Sequence, residues 1–298
     1  MRGLADVRKL GALGAIVAVL LASCASPEVA SAQPPVWVVS DADSELVLFG
    51  SVHVLPPDLD WRPAPLTRAL ASADDVWFEL PVDPAADAEV ARLAAERGVL
   101  APDESLFALL SAAERDQLAR VAAAYAVDPA TLDRLQPWLA EVALGAAAFR
   151  KFGAGAENGV EKAISAAAPA RASRRAFETP AEQIALFTDT PRAEQLAALR
   201  ETLQELEDEP EAFAQMVAAW MAGDLDGLDR EVLEPLRKSA PDFFRRLVTE
   251  RNVRWTATLD DRLRGKGRTV VVVGMGHLIG PDGLPARLRA LGYSVKGP

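Results

Sequence analysis

The run TVVVVG, from Thr269 to Gly274, constrains the fold more than any other stretch of this chain. It is apolar on both faces, whereas a strand with one face in water alternates apolar and polar residues. Both faces of such a strand must be covered, so the run predicts a central strand in a sheet on which helices pack. Of the 298 residues, 50% are apolar, which is enough to build that core.

Shorter strand-like runs occur near both ends of the chain. Residues 35–40 and 45–50 are typical of a hairpin closed by a polar turn, and residues 76–80 are typical of a third strand. After Gly274 come a short helical segment, 284–292, and a terminal strand, 293–295. Two units of strand, GxxH, helix and strand therefore enclose the middle of the chain. We predict an α/β fold of the α+β type, with a mixed central sheet and a large helical insertion.

The insertion is predicted to be helical from about residue 84 to residue 264. Three helix starts are marked by capping patterns, at Asp83 and Pro84, at Ser111 and Glu114, and at Thr179 and Glu182. Separate starts favour several helices over one long rod. Residues 171–178 are expected to form a short strand among them, and residues 241–265 the last long helix.

The first 23 residues are predicted to be a signal peptide. Basic residues precede an apolar stretch of 14 residues, which is too short to span a bilayer of about 30 Å. The LASC sequence that follows resembles the bacterial lipoprotein signal, in which the cysteine, here Cys24, is lipidated. The alternative is ordinary cleavage after residues 30–32, which discards Cys24.

Lipidation at Cys24 implies an exported protein of the bacterial cell envelope, anchored to a membrane by lipid, and ordinary cleavage implies a periplasmic one. Residues 24–34 are then a tether and residues 35–298 a single domain. The formal net charge is −11, and Lys and Arg are not clustered, so nucleic acid is not an expected partner. An acidic surface suits divalent cations better.

The only two histidines share one context, because each follows a glycine three residues earlier at the end of a predicted strand. The motifs are GSVH, ending at His53, and GMGH, ending at His277. Their glycines, Gly50, Gly274 and Gly276, let the backbone turn and approach a ligand closely. Glu79 follows the third strand. Two histidines and a carboxylate at neighbouring strand ends predict a site for a divalent metal, and two structural histidines are the alternative.

Longer motifs carry a family resemblance. The sequences LFGSVHVLP, DDVWFELP, QPWLAEVAL, NGVEKAI, FETPAEQI, ERNVRW and VVVVGMGHLIGPDGLPARLRALGYSV resemble, in this order, the TraB/GumN family, which is related to the TIKI metalloproteases. The resemblance implies that His53 and His277 are active-site histidines and that Glu79 is their acidic partner. It also implies roles for Glu178, Arg251 and Asn252. A charge that favours the following helix is the alternative for Glu178, and surface solvation is the alternative for Arg251.

Three functions are compatible with these residues. The first is a protease-like hydrolase in which His53, His277 and Glu79 hold a divalent ion, Mn, Co or Zn, with Glu79 or Glu178 as base and Arg251 or Asn252 facing the oxyanion. The second is a hydrolase without metal, in which a histidine is the general base, as the resemblance to the erythromycin esterase group implies. The third is a lipoprotein that binds haem or a metal without turnover. Its further candidate ligands are Tyr125 and Tyr293.

Overall fold

The computed structural model describes residues 33–298. The predicted signal peptide, Cys24 and most of the tether lie outside the described residues. Within these described residues, six strands form one mixed sheet: β1 Val36–Ser40, β2 Ser44–Ser51, β3 Asp75–Phe78, β4 Ser173–Ala176, β5 Gly267–Gly274 and β6 Ser294–Lys296. Their order across the sheet is β4-β3-β5-β2-β1-β6. No helix within residues 33–298 is long and apolar enough to cross a membrane.

The strand predicted from TVVVVG is central. β5 lies between β2 and β3 and runs parallel to both, and β3 runs parallel to β4. Residues 269–273 are all fully buried, as a strand covered on both faces requires. β1 pairs with β2 as the expected hairpin, and β6 adds antiparallel to β1. The prediction of a mixed sheet is confirmed.

Most of the other residues between 33 and 298 are helical. The α-helices are α1 Ala64–Ala71, α2 Pro84–Arg97, α3 Ala112–Ala124, α4 Pro129–Leu132, α5 Pro137–Lys151, α6 Val160–Ala167, α7 Pro180–Thr188, α8 Arg192–Asp208, α9 Ala212–Ala222, α10 Leu225–Leu228, α11 Glu234–Ser239, α12 Pro241–Phe244, α13 Glu250–Leu263 and α14 Leu284–Ala290. The main core covers the sheet, and a second cluster of apolar side chains lies between α3, α5 and α8.

Local sequence explains where the marked helices begin. Asp83 accepts hydrogen bonds from the first backbone N–H groups of α2, and both predicted capping boxes are present, at the starts of α3 and α7. The expected long helix 241–265 differs in one respect. A π-helical turn, Arg245–Thr249, separates α12 from α13, and apolar periodicity does not reveal such a turn.

The two GxxH units occupy neighbouring strands. β2 leads to His53 and then to α1 and β3, whereas β5 leads to His277 and then to α14 and β6. Because β2 and β5 are parallel neighbours with Ser51 opposite Gly274, both motifs leave the sheet at the same edge. The helical insertion between the units returns the chain to the sheet only once, at β4.

Candidate functional site

Four parallel strands end on the same side of the sheet, and each end leads to a side chain identified in the sequence. β2 and β5 lead into His53 and His277, and β3 and β4 into Glu79 and Glu178. Ligand sites of α/β sheets lie beyond such carboxyl ends. The fold thus brings the two histidines and the two glutamates to one edge of the sheet.

Arg251, on α13, lies at the centre of this cluster and is 3% exposed. Its Nε and Nη2 each donate to a Glu178 oxygen at 2.8 Å, and Nη2 also donates to Glu79 Oε2 at 2.5 Å. Its Nη1 donates to the Leu247 carbonyl and to His277 Nε2, both at 3.0 Å. A guanidinium has five N–H groups, and these contacts engage all of them. The oxyanion role stays a prediction, and Arg251 could take it only by giving up one of these bonds.

Asn252 determines which nitrogen of His277 carries a hydrogen. Its Nδ2 donates to the carbonyls of His277 and Asp282, at 3.2 and 2.8 Å, so its Oδ1 accepts from His277 Nδ1 at 2.7 Å. His277 therefore presents the lone pair of Nε2 to Arg251. Burial lowers the pKa of His277 to about 4, with Glu79 opposing this shift and Arg251 adding to it. The imidazole of His277 is neutral at pH 7.

Glu79 is ionised and held from two sides. Its Oε1 accepts from the backbone N–H of Gly274 at 2.6 Å and its Oε2 from Arg251, with Gln183 Nε2 at 3.3 Å from the same oxygen. Burial opposes ionisation, but nearby imidazoles, the Arg251 guanidinium and the Gly274 N–H together lower the pKa of Glu79 to about 2. Since His277 is neutral, Arg251 is the permanent positive charge among these. Such an acidic carboxyl is a weak general base.

His53 is the member of the site that is open to water, with 66% of its side chain exposed. Its Nδ1 lies 2.7 Å from Oε1 of Glu161, a residue of α6. The negative charge of Glu161 raises the pKa of His53 to about 9, although partial desolvation of the ring by the surrounding protein opposes this shift. The two histidines of the GxxH motifs are therefore in opposite electrostatic environments.

Of the three motif glycines, Gly274 faces the space between the site side chains. A Cβ on Gly274 would lie 3.2 Å from Glu79 Oε1 and 3.8 Å from both His53 Nε2 and His277 Cδ2. A Cβ on Gly50 would instead meet the Met275 side chain at 2.5 Å, and one on Gly276 would meet Leu233 at 3.0 Å. Gly50 and Gly276, which were predicted to line a cofactor site, thus pack against apolar side chains.

The donor atoms do not fit a resident metal ion. Within residues 33–298, no three His, Cys, Asp or Glu side chains form a group that could hold one. His277 Nε2 and Glu79 Oε2 are both hydrogen-bonded to Arg251, a permanent cation that a metal would have to displace. The divalent ion stays a prediction that this arrangement does not favour.

Neither tyrosine lies at the histidines. Tyr125 donates to the Leu206 carbonyl at 3.0 Å, and Tyr293 donates to Asp260 at 2.6 Å. These bonds occupy the two hydroxyls that could have served as additional haem ligands. The haem alternative is left with the histidines, one of which is engaged by Arg251 and by Asn252.

Three further residues at the site were not predicted from the sequence: Glu161, Gln183 and Trp255. Glu161 stands in the motif NGVEKAI, which was noted without a role. Gln183 donates to both Glu79 and Glu178 at 3.3 Å. Trp255 packs on His277 with ring centroids 4.5 Å apart, and the Arg251 guanidinium lies 4.5 Å from its ring. Gln183 and Trp255 lie on helices, α7 and α13, and only the packing of these helices against the sheet brings the two side chains to the strand ends.

The sequence model of the TraB/PrgY/gumN family matches residues 35–297. The chain is similar to a protein of Escherichia coli (strain K12) named Uncharacterized protein YbaP, with 26% identity over 259 residues, 86% of this chain and 92% of the relative. It is also similar to the protein of the same name from Shigella flexneri, with 27% identity over 81% of this chain and 87% of the relative. No solved structure matches this chain.

Proposed function

Because this chain belongs to the TraB/PrgY/gumN family and presents a histidine–carboxylate site at its strand ends, we propose that it is a hydrolase that needs no metal. The observation that carries the proposal is that His53 Nε2 and Glu79 Oε1 converge on one point, 3.8 and 3.2 Å from the Cβ position of Gly274. Glu79 Oε1 accepts one hydrogen bond, from Gly274, and so keeps a lone pair for a second. A water molecule placed between His53 Nε2 and Glu79 Oε1 can donate to both groups.

In the proposed reaction His53 is the general base. Its Nε2 takes a proton from the water, the hydroxyl oxygen bonds to the carbon of a substrate acyl group, and Glu79 orients the water through its second proton. The bond from the acyl carbon to its amine or alcohol then breaks, and His53 returns the proton to the leaving group. Arg251 keeps Glu79 ionised and in place. Peptides and small esters are the proposed substrates.

The test compares wild-type protein with His53→Gln on a panel of peptides and p-nitrophenyl esters, after complete removal of metal. Asp58→Asn is the matched control, because Asp58 is exposed on the loop that follows His53. We expect hydrolysis by wild type and by the control, and loss of about 10²-fold or more in His53→Gln. Wild-type activity in His53→Gln would overturn the proposal. Activity that disappears with metal and returns with Mn, Co or Zn would replace it by the metal-dependent alternative.

Export and membrane anchoring are a separate proposal, supported by the sequence of residues 1–24. We propose that Cys24 is lipidated and holds the domain at a membrane of the cell envelope. Cys24→Ser should then move the protein from the detergent phase to the aqueous phase in a phase-separation assay, and should abolish labelling by a radioactive fatty acid. Absence of labelling in the wild type would exclude lipidation at Cys24 and favour cleavage near Ala32.

A further inference from the structure

Glu161 is held against His53 by the backbone on both sides of the histidine. The N–H of Val160 donates to the carbonyl of Val52 at 3.2 Å, and Leu55 and Gly155 exchange two backbone hydrogen bonds, at 3.1 and 3.4 Å. The segment that carries the histidine and the segment that carries the glutamate are therefore fixed to each other immediately before and after His53.

Gly159 makes this approach possible. A Cβ at this position would lie 2.2 Å from the carbonyl oxygen of His53, a distance that no side chain can adopt. The backbone of residue 159 thus touches the backbone of the histidine directly, and α6 starts one residue later. Glu161 falls in the first turn of α6, where the helix dipole favours a negative charge.

The carboxylate itself is enclosed, with 17% of the Glu161 side chain exposed. Its Oε1 lies 2.7 Å from His53 Nδ1, the distance of a strong charge-assisted hydrogen bond. His277 shows the contrasting arrangement, because its Nδ1 is held by the neutral amide of Asn252 and its Nε2 accepts from Arg251. Only His53 combines a carboxylate on Nδ1 with an Nε2 that lies 3.8 Å from the Cβ position of Gly274, beside Glu79.

From this geometry we infer that Glu161 is a positioning residue for the proposed reaction, and that it makes His53, not His277, the base. Glu161 accepts from Nδ1–H, so the lone pair of the neutral ring lies on Nε2, toward the water. When Nε2 takes the proton of the water, the positive charge that forms on the ring meets the Glu161 carboxylate. Glu161 keeps its own charge throughout and exchanges no proton. The role of His53 as a base rests on the proposed function, whereas the contact between His53 and Glu161 rests on the structure alone.

The kinetic test uses Glu161→Gln, which keeps the shape of the side chain and removes its charge. Above pH 9, where the ring of His53 is neutral in both proteins, we expect kcat to fall by about 10²-fold to 10⁴-fold while KM changes little. Glu157→Gln is the matched control, because Glu157 is an exposed glutamate of the same segment and should retain wild-type kcat. Glu161→Asp should recover part of the loss. A folded Glu161→Gln protein with wild-type kcat would overturn the inference.

A second measurement needs neither substrate nor a folded variant of Glu161. Because the chain has only two histidines, ¹⁵N-labelled imidazoles give two sets of ring signals, which His53→Gln and His277→Gln assign. We expect a downfield Nδ1–H proton for His53 in the wild type, shifted by its carboxylate partner. Its absence would overturn the inference even where hydrolysis is found. If the signal is present but no hydrolysis depends on His53, the proposed function fails and the contact stands.

Discussion

A single methyl group at Gly274 tests where the reaction takes place. The backbone of Gly274 has φ −49° and ψ 138°, which alanine adopts without strain. The methyl of Gly274→Ala would lie 3.2 Å from Glu79 Oε1 and 3.8 Å from His53 Nε2. It would therefore occupy the space that we assign to the reacting water, while every polar side chain of the site is kept.

The expected effects on stability and on activity differ in size. A contact of 3.2 Å requires Glu79 to yield by a few tenths of an ångström, and overpacking of this kind costs about 1 kcal/mol of unfolding free energy. A methyl group fills roughly the volume of one water molecule, about 30 Å³. Because water can no longer reach both His53 and Glu79, we expect kcat/KM to fall by about 10²-fold or more.

Gly145→Ala is the control, since Gly145 lies within α5 and a Cβ there would meet no atom within 4 Å. This substitution should raise the unfolding free energy by about 0.5–1 kcal/mol and leave hydrolysis unchanged. Urea unfolding and steady-state kinetics of the three proteins measure both quantities. If Gly274→Ala folds and hydrolyses substrate as the wild type does, the water does not react in front of Gly274.

Three further predictions follow from other contacts. Arg251→Met should lower the free energy of unfolding, measured in urea, by about 3–5 kcal/mol, because it leaves two buried carboxylates without their cation. A loss of unfolding free energy no larger than that of the surface variant Glu157→Gln would contradict the central role of Arg251. In a pH–rate profile, kcat/KM should rise up to pH about 9, because the raised pKa of His53 keeps the ring protonated below that pH; a profile flat from pH 6 to 9 would contradict this. Burial raises the pKa of Glu141 from its ordinary 4.5 to about 7, so the folded state binds the proton more tightly and loses that stability as the pH rises from 4.5 through 7. Glu141→Gln should thus stabilise by about 3 kcal/mol at pH 8 and by little at pH 4, and an equal gain at both would contradict the assignment.

The sheet was predictable from the sequence because its signals are local. The apolar run of β5 requires cover on both faces, and the glycine at its end marks the turn toward His277. The helix starts were predictable for the same reason, since a capping box involves residues three apart. The likeness of the two GxxH units predicted that both histidines follow strand ends, and the adjacency of β2 and β5 in the sheet brings His53 and His277 to one edge.

Glu161 was not predictable in this way. It lies 108 residues from His53 in the chain, and their contact depends on the packing of α6 against the loop after β2. A glutamate in the first turn of a helix has an ordinary explanation in the helix dipole, so its position alone does not indicate a role. The signal that could have identified it is the glycine two residues earlier, because Gly159 marks a close approach of two backbones.

A π-helical turn, which apolar periodicity in the sequence does not reveal, lies shortly before Arg251 and Asn252. The π-helical turn Arg245–Thr249 precedes them, and a π turn departs from the regular bonding of the helix backbone. Leu247 lies inside that turn, and its carbonyl accepts from Arg251 Nη1. Arg251 and Asn252 follow this turn and are both buried in α13. A sequence can suggest that two such donors serve an oxyanion, but here each of their N–H groups already has a partner. Moving Arg251 to an oxyanion would leave a buried carboxylate, carbonyl or imidazole without its hydrogen bond, at a cost of about 1–3 kcal/mol or more.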